Sequence, residues 1–289
     1  MKFKKIGFIG QGYIGKNYAD DFESRGFEVI RYGLDPEFAG NRERIKHCDL
    51  VFIAVPTPST PDGFDYSTVE EVLSLVGRGA SVVIKSTVLP KTTETLQTKF
   101  SEYFLFHSPE FLTEATAEYD AGHPDRNIVG MAIENGEFKE RAEAIMDALP
   151  YAPYVLVTNS RTAEMIKYAG NNWFFVKVVF VNMLYDLSAT LGLEWEVLEQ
   201  ALSADPRIGN THLSPIHKNG RGAGGNCFIK DFSAFSEMYR SLVGDEHGVK
   251  LLEELRDKNI ELLLKSNKDI EKLSGVYGED YIRQKKRAQ

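Results

Sequence analysis

Residues 224–231 read GGNCFIKD, a cysteine placed behind two glycines and ahead of a lysine and an aspartate. Cys227 and Asp231 are four residues apart and share a face if CFIKD starts a helix. A thiol near a helix N-terminus with Lys230 beside it has a lowered pKa and gains nucleophilicity. A free cysteine is also among the residues most often buried as a small hydrophobe, and Cys48 falls on that side. In AEMIKYAGNN, Lys167 and Asn171 are likewise one helical turn apart. Burial of a lysine on so apolar a segment lowers its pKa unless partners compensate. Such a group can steady an alkoxide or shuttle a proton from an alcohol, and a lysine at a helix edge can equally snorkel to water. SPEFLTEATA offers Glu110 and Glu114 at the same spacing if a helix begins at Pro109. Paired carboxylates can divide base and binding duties, but acids in a first helical turn also answer the helix dipole. His107, just before them, reads as structural.

A further element precedes all of these. GQGYIG (10–15) sets Gly10, Gly12 and Gly15 in the G-x-G-x-x-G pattern between an apolar run, KKIGFIG, and a helical stretch from Tyr13 to about Arg25. In that context Gly10 permits a tight turn, Gly12 lets backbone N–H groups approach a pyrophosphate, and Gly15 lets the helix pack closely. An acid about 20 residues beyond the loop is expected for the ribose, and Asp35 serves if the second strand runs late. Arg31 could instead meet a 2′-phosphate; NAD is favoured over NADP.

The elements that must position these residues alternate. FEVIRY, DLVFIAV, ASVVIKS, EYFLFHS, NIVGMAI and APYVLVT are short apolar runs separated by helical patterns, which predicts a doubly wound parallel sheet of Rossmann type over residues 1–158. After Thr158 the rhythm changes. More than thirty residues without proline are apolar almost all round, predicting a long helix buried between domains or in a dimer. The remainder of the chain reads helical, so residues 159–289 are expected to form an all-α domain around that long helix.

Composition sets the outer limits. The chain has 289 residues, 43% hydrophobic and 26% charged, with a net charge of −8. That is ordinary globular composition, and an acidic chain without a basic stripe argues against nucleic acid. No unbroken apolar run approaches the roughly 20 residues that span a bilayer, so no membrane partner is expected. Two cysteines fit a reducing cytoplasm. No metal-binding spacing is present.

The motifs GQGYIG, VFIAVPTP, VIKSTVLPKTT, SPEFLTEATA, HPDRNIVG, TAEMIKYAGNN, DPRIG and GRGAGGNCFIKD, in this order, resemble the UDP-glucose/GDP-mannose dehydrogenase family from residue 4 to about 240. The resemblance implies oxidation of a nucleotide sugar's C6 alcohol to the carboxylate with two NAD⁺ per turnover. It implies that Cys227 carries a thiohemiacetal and then a thioester, and that Lys167 and Asn171 stabilise the oxyanions. Thr87 and Asp231 would position the hydrolytic water, assisted by Glu114. Gly10, Gly12, Tyr13, Ile14 and Gly15, with Asp35, Val55, Pro56, Thr57 and Thr87, would hold the cofactor. Glu110, Phe111 and Leu112, with Gly222, Gly224 and Gly225, would line the sugar site. Arg207 would reach the substrate from the partner subunit of a homodimer built on helix 160–191.

The chain also departs from the family's pattern. It is expected to be a short form, ending about where a second Rossmann-like domain that grips the nucleotide would begin. The segment 33–48 is short, Ala223 stands where an aromatic is common, and Ile229 where proline is common. Two other readings remain at this level. One is a two-electron 3-hydroxyacid dehydrogenase using Lys167 and Asn171, which has no need of Cys227. The other is a cofactor-binding, dimerising relic without catalysis.

Overall fold

The computed structural model describes residues 2–287. The chain runs β1 (Lys5–Ile9), α1 (Tyr13–Ser24), β2 (Glu28–Tyr32), α2 (Pro36–Ala39), a 3-10 turn (Arg42–His47), β3 (Leu50–Ile53), β4 (Ser59–Thr60), β5 (Gly63–Phe64), α3 (Ser67–Leu73) and β6 (Ser81–Ile84). It continues with α4 (Thr92–Lys99), β7 (Phe104–His107), α5 (Ala117–Gly122), β8 (Arg126–Met131), α6 (Gly136–Ala148), β9 (Tyr154–Asn159) and the 31-residue α7 (Ser160–Thr190). Then come α8 (Trp195–Ser203), β10 (Ile216–His217), β11 (Gly220–Arg221), α9 (Gly225–Leu242), α10 (Glu246–Lys265), α11 (Ile270–Tyr277) and α12 (Glu279–Arg287). Two compact units result. The first takes the residues up to Thr57 with Asp65–Lys167; the second takes Pro58–Phe64 and the residues from Tyr168 onward.

The first unit is a seven-stranded sheet in the order β2-β1-β3-β6-β7-β8-β9. Strands β3 and β6 are buried throughout, as an inner parallel strand covered on both faces must be. Phe8, Phe22 and Phe52 form one knot of the core, with ring centroids 4.9–5.4 Å apart. The chain moves from β1 outward to β2 and returns to β3 on β1's other side. This reversal opens a crevice beyond the carboxyl ends of β1 and β3, where open α/β sheets take their ligands.

The sheet is not wholly parallel. β8 pairs antiparallel with β7, Phe106 opposite Met131, while β8 and β9 are parallel. A parallel return needs a crossover that carries the chain back along the sheet. Between β7 and β8 the only helix is the six-residue α5, too short for that journey, so β8 starts from the end where β7 stops.

The second unit is mainly helical, as expected for residues 159–289, and holds two small hairpins, β4–β5 and β10–β11, of which only the second falls in that range. Its core is several clusters, one of Ile229, Ile260, Leu263 and Leu273 and one of Phe175, Val179 and Phe232, with Phe175 stacked on Phe232 at 3.7 Å. By length and composition α7 could cross a membrane, with a mean hydropathy of 1.2 over its most apolar stretch. Polar residues break its apolar runs into short pieces such as WFFV and VVFV. Glu164, Lys167, Asn172 and Asn182 are buried and all hydrogen-bonded within the protein.

One of these interruptions caps another helix. Helix α4 begins after Lys91, whose left-handed backbone (φ 82°) offers no side-chain cap. Glu164 of α7 supplies it instead, accepting from Lys91 N (2.7 Å), Thr93 N (2.8 Å) and Thr93 Oγ1 (2.6 Å) while fully buried. Removing that carboxylate leaves backbone donors without partners where water does not reach. Glu164→Ala is therefore expected to lose about 2–3 kcal/mol in urea unfolding; a loss under about 0.5 kcal/mol, the range of an ordinary surface change, would sink the borrowed-cap account.

Candidate active site

The glycine turn is built as its spacing implies. Gly10 has φ +90°, and a Cβ there would sit 2.2 Å from the Ala54 carbonyl oxygen. A Cβ on Gly15 would sit 1.9 Å from the Gly10 carbonyl oxygen, so these two glycines are demanded by the turn itself. Gly12 differs: nothing lies within 4 Å of its missing Cβ. It precedes α1, whose first turn holds Tyr13, Ile14 and Gly15 and no acidic side chain. Open space over N–H groups at a positive helix end fits a dinucleotide's pyrophosphate.

The acid for the ribose is less direct. β2 ends at Tyr32, and Asp35 is an exposed residue before α2 whose carboxylate caps nothing. Arg31 is already committed: it pairs with Glu23 (2.6 Å) and Asp20 (2.6 Å) of α1. A guanidinium held by two carboxylates is poorly placed to take a 2′-phosphate.

The loops after β3 and β6 are tied together. Ser86 Oγ accepts from Val55 N (2.9 Å) and donates to Val55 O (2.7 Å), and Thr57 Oγ1 donates to Thr87 O (2.7 Å). Val55, Pro56, Thr57 and Thr87 thus form one braced rim at the carboxyl ends of the strands.

Glu110 and Glu114 do not share a helix. Residues 109–113 are irregular and α5 starts only at Ala117, so the one-turn spacing does not exist. The reason is a tertiary contact that holds the backbone in another shape. Lys167 Nζ donates to Glu110 Oε1 (2.9 Å) and to the Glu110 carbonyl (2.8 Å), and Leu112 N donates to Glu110 Oε2 (2.9 Å). Glu110 and Lys167 are buried together, whereas Glu114 is exposed. Phe111 lies under Arg126 at 3.7 Å, with Lys167 Nζ 5.7 Å from its ring, a cation–π arrangement that fixes the loop's aromatic.

Two buried groups lie beside this pair: Lys85 escaped the sequence reading, and His107 was expected to be structural. Lys85 donates to Ser108 Oγ (3.2 Å) and stands 4.1 Å over the Tyr18 ring. Its burial lowers its pKa to about 7, with Glu110 acting the other way and Lys167 adding to the fall. A lysine closing the apolar run SVVI was the available signal. His107 is fully buried, neither ring nitrogen has a hydrogen-bond partner among the described residues, and burial pushes its pKa down to about 3. A neutral imidazole so enclosed fits the structural role.

In the second unit the expected residues gather at the start of α9. Cys227 lies exposed in its first turn, and Asp231 one turn later is buried. Both carboxylate oxygens of Asp231 are engaged, Oδ2 by Asn171 Nδ2 (2.6 Å) and Oδ1 by Lys230 Nζ (2.6 Å). Lys230 therefore serves Asp231. The glycines before Cys227 answer to packing inside this unit: a Cβ on Gly224 would be 2.2 Å from Asp269 Oδ2, and Gly222 (φ +88°) is wedged against Asn259. Asp269 Oδ2 accepts from Gly225 N (2.7 Å), and Asn259 brackets Ala223 from both sides at 2.7 and 2.9 Å. Against the cost of its burial, Lys272 and the Gly225 N–H hold Asp269 below the usual carboxylate range. Neither Asp269 nor Asn259 was foreseen, because both lie over thirty residues along the chain. Arg207 stands apart, its side chain 87% exposed and, among the described residues, paired with Asp205. No group of three or more potential metal ligands occurs among the described residues.

The Lys85 site yields a test. A lysine whose folded pKa, about 7, lies below its unfolded value of 10.5 carries the full cost of burying its cation below pH 7, and that cost fades toward pH 10.5. Lys85→Met is expected to be more stable than the native chain near about pH 6, with the gap closing by about pH 10 in chemical unfolding. A gap independent of pH would mean that Lys85 is not a buried titrating cation.

Comparison with known proteins places this geometry. Residues 37–149 match the NAD binding domain of the UDP-glucose/GDP-mannose dehydrogenase family, and residues 161–261 match its central domain. The UDP-glucose 6-dehydrogenase YwqF of Bacillus subtilis is 30% identical, over 94% of this chain and 70% of its own length. The UDP-glucose 6-dehydrogenase of Rickettsia typhi is 35% identical over 67% of this chain, but the match takes in only 45% of that protein. The chain thus spans about half the length of several curated relatives. A UDP-glucose dehydrogenase structure from Pyrobaculum islandicum superposes with a TM-score of 0.76 at 27% identity, covering 91% of this chain and 70% of the other. A glycine turn in a doubly wound sheet, a buried Lys167–Glu110 pair and a cysteine-bearing α9 accompany these matches, and the chain belongs to the UDP-glucose/GDP-mannose dehydrogenase family.

Proposed function

We propose that the chain oxidises the C6 alcohol of a nucleotide sugar to the carboxylate, with NAD⁺ as hydride acceptor and Cys227 as nucleophile. The observation that carries the reading is the retained chemical set within family membership: Lys167 buried against Glu110, Asn171 bonded to Asp231, and Cys227 exposed one turn from Asp231. Two hydride transfers are required. In the first, alcohol becomes aldehyde as Lys167 steadies the alkoxide. The Cys227 sulfur then adds to the aldehyde carbon, giving a thiohemiacetal whose oxyanion Lys167 and Asn171 stabilise. Loss of the second hydride leaves a thioester, and water positioned by Thr87 and Asp231, with Glu114 assisting, releases the acid and the thiol.

The glycine turn favours NAD⁺ through Gly12 and the first N–H groups of α1, with Val55, Pro56, Thr57 and Thr87 on the nicotinamide side and Asp35 on the ribose. The commitment of Arg31 to Asp20 and Glu23 supports NAD over NADP. Glu110, Phe111 and Leu112, with Gly222, Gly224 and Gly225, line the sugar's place. We assign residues 1–158 to cofactor binding and 159–289 to substrate binding and dimerisation, in a cytoplasmic enzyme.

A second copy of the chain is the proposed partner of α7. Trp173, Phe180 and Leu187 are 66%, 56% and 55% exposed and recur at seven-residue spacing, with exposed Met183 between the last two. One face of a long helix left this apolar in water is costly, and an identical face closes it by two-fold symmetry. Arg207, 87% exposed and paired with Asp205, is the residue assigned to reach the partner's substrate.

Two measurements test these assignments. With UDP-glucose, two NADH should form per sugar consumed, and Cys227→Ser should lose oxidation to the acid by at least about a thousandfold. Full turnover in the serine variant would instead favour a two-electron hydroxyacid dehydrogenase; binding of NAD⁺ without turnover would favour the non-catalytic alternative. In light scattering the native chain should be a dimer and Phe180→Asp/Leu187→Asp a monomer; a native monomer would remove the dimer proposal.

A further inference from the structure

At the amino ends of the strands, opposite the glycine turn, the first unit holds a cavity of about 420 Å³. Its walls come from the residues leading into β1, β3 and β6, with Arg141 of α6. Six of the lining residues are basic: Lys2, Lys4, Lys46, His47, Arg78 and Arg141; a single carboxylate, Asp49, faces them. In a chain of net charge −8 this is a reversal of sign, and a concave surface of one sign focuses its potential on a counter-ion.

Internal ion pairs take up only part of this charge. Asp49 Oδ2 is occupied by the backbone N–H groups of Lys4 (3.0 Å) and Lys5 (3.2 Å). Lys46 leans outward to Glu43 (3.0 Å). Arg141, its side chain 14% exposed, stands over Phe104 at 3.5 Å, donates to Ser81 Oγ (3.2 Å) and Gly79 O (3.3 Å), and pairs at 3.4 Å with Glu137 one turn back on α6. Its Nε is buried with no hydrogen-bond partner among the described residues. Lys2, Lys4 and Arg78 form no ion pair among the described residues. The mouth is shaped by Gly77, where a Cβ would meet Lys46 O at 2.1 Å, and by Gly79 at φ +79°.

We infer that this cavity is a binding site for a diphosphate group, separate from the glycine turn and taking either inorganic pyrophosphate or a nucleoside diphosphate. Several cations around one hollow match an anion of two or three charges, and guanidinium forks suit phosphate oxygens. The volume lies within the range of small-ligand pockets and admits a diphosphate with a nucleoside attached. The inference does not depend on the dehydrogenase reading.

Amide chemical shifts provide the test, because they separate the two ends of the sheet. Titration with sodium pyrophosphate should move Gly77, Gly79 and Ala80 in a saturable way, more strongly than orthophosphate does, and less as salt is raised. Tighter binding of uridine diphosphate at the same amides would identify the nucleotide as the preferred source; equal binding would assign the site to the diphosphate alone. Lys4→Ala/Arg78→Ala changes two exposed side chains and should weaken binding at least about tenfold without altering the fold. Shifts confined to Gly10–Gly15, no shifts up to about 10 mM pyrophosphate, or undiminished binding in the double variant would each overturn the site.

Discussion

The Lys167–Glu110 pair is the contact on which the shape of the chain leaving β7 depends. Both groups are buried, and taking two charges from water costs several kcal/mol for each ion. The attraction alone does not repay this. What makes the arrangement tenable is that Lys167 also binds the Glu110 carbonyl and Leu112 N–H takes the other carboxylate oxygen. Three bonds thus fold residues 110–112 around one ammonium group. The chain leaving β7 is held open where its sequence would start a helix, and Phe111 is pinned under Arg126. The pair contributes little to net stability compared with an apolar substitute, but it determines where an acid and a cation stand relative to the strand ends.

Lys85 and His107 show how far that environment is from water. A lysine with a pKa near 7 and a histidine near 3 can exist together only because each is enclosed. A neutral His107 and a readily deprotonated Lys85 limit the positive charge collected around one carboxylate. The second unit solves a different problem by the same means. Asp269 and Asn259 hold the backbone of residues 222–225, and Asp231 is clamped between Asn171 and Lys230. The first turn of α9, with the exposed thiol of Cys227, starts from this fixed base.

Much was legible in the chain itself. Runs such as LVFI and SVVI are too short and too apolar for anything but inner strands, and the spacing of Gly10, Gly12 and Gly15 between a strand and a helix pointed to the tight turn that the structure has. The paired spacings Lys167–Asn171 and Cys227–Asp231 survived because α7 and α9 are regular helices, in which local periodicity governs who shares a face. Glu110–Glu114 failed for the complementary reason: a helix was inferred from Pro109, and a lysine 57 residues away bent the backbone otherwise.

Local pattern alone determined the strands, the long helix, the glycine turn and the helical spacings Lys167–Asn171 and Cys227–Asp231, since each rests on interactions within a few residues. The tertiary structure alone decided that β8 runs antiparallel, that Glu164 of α7 caps α4, that Lys85 is buried, and that Gly224 makes room for Asp269. It also decided that Arg31 is bound to α1. Each of these is a contact between groups distant in sequence, whose energy depends on burial and on which partner arrives, and neither is encoded in the spacing of neighbouring residues.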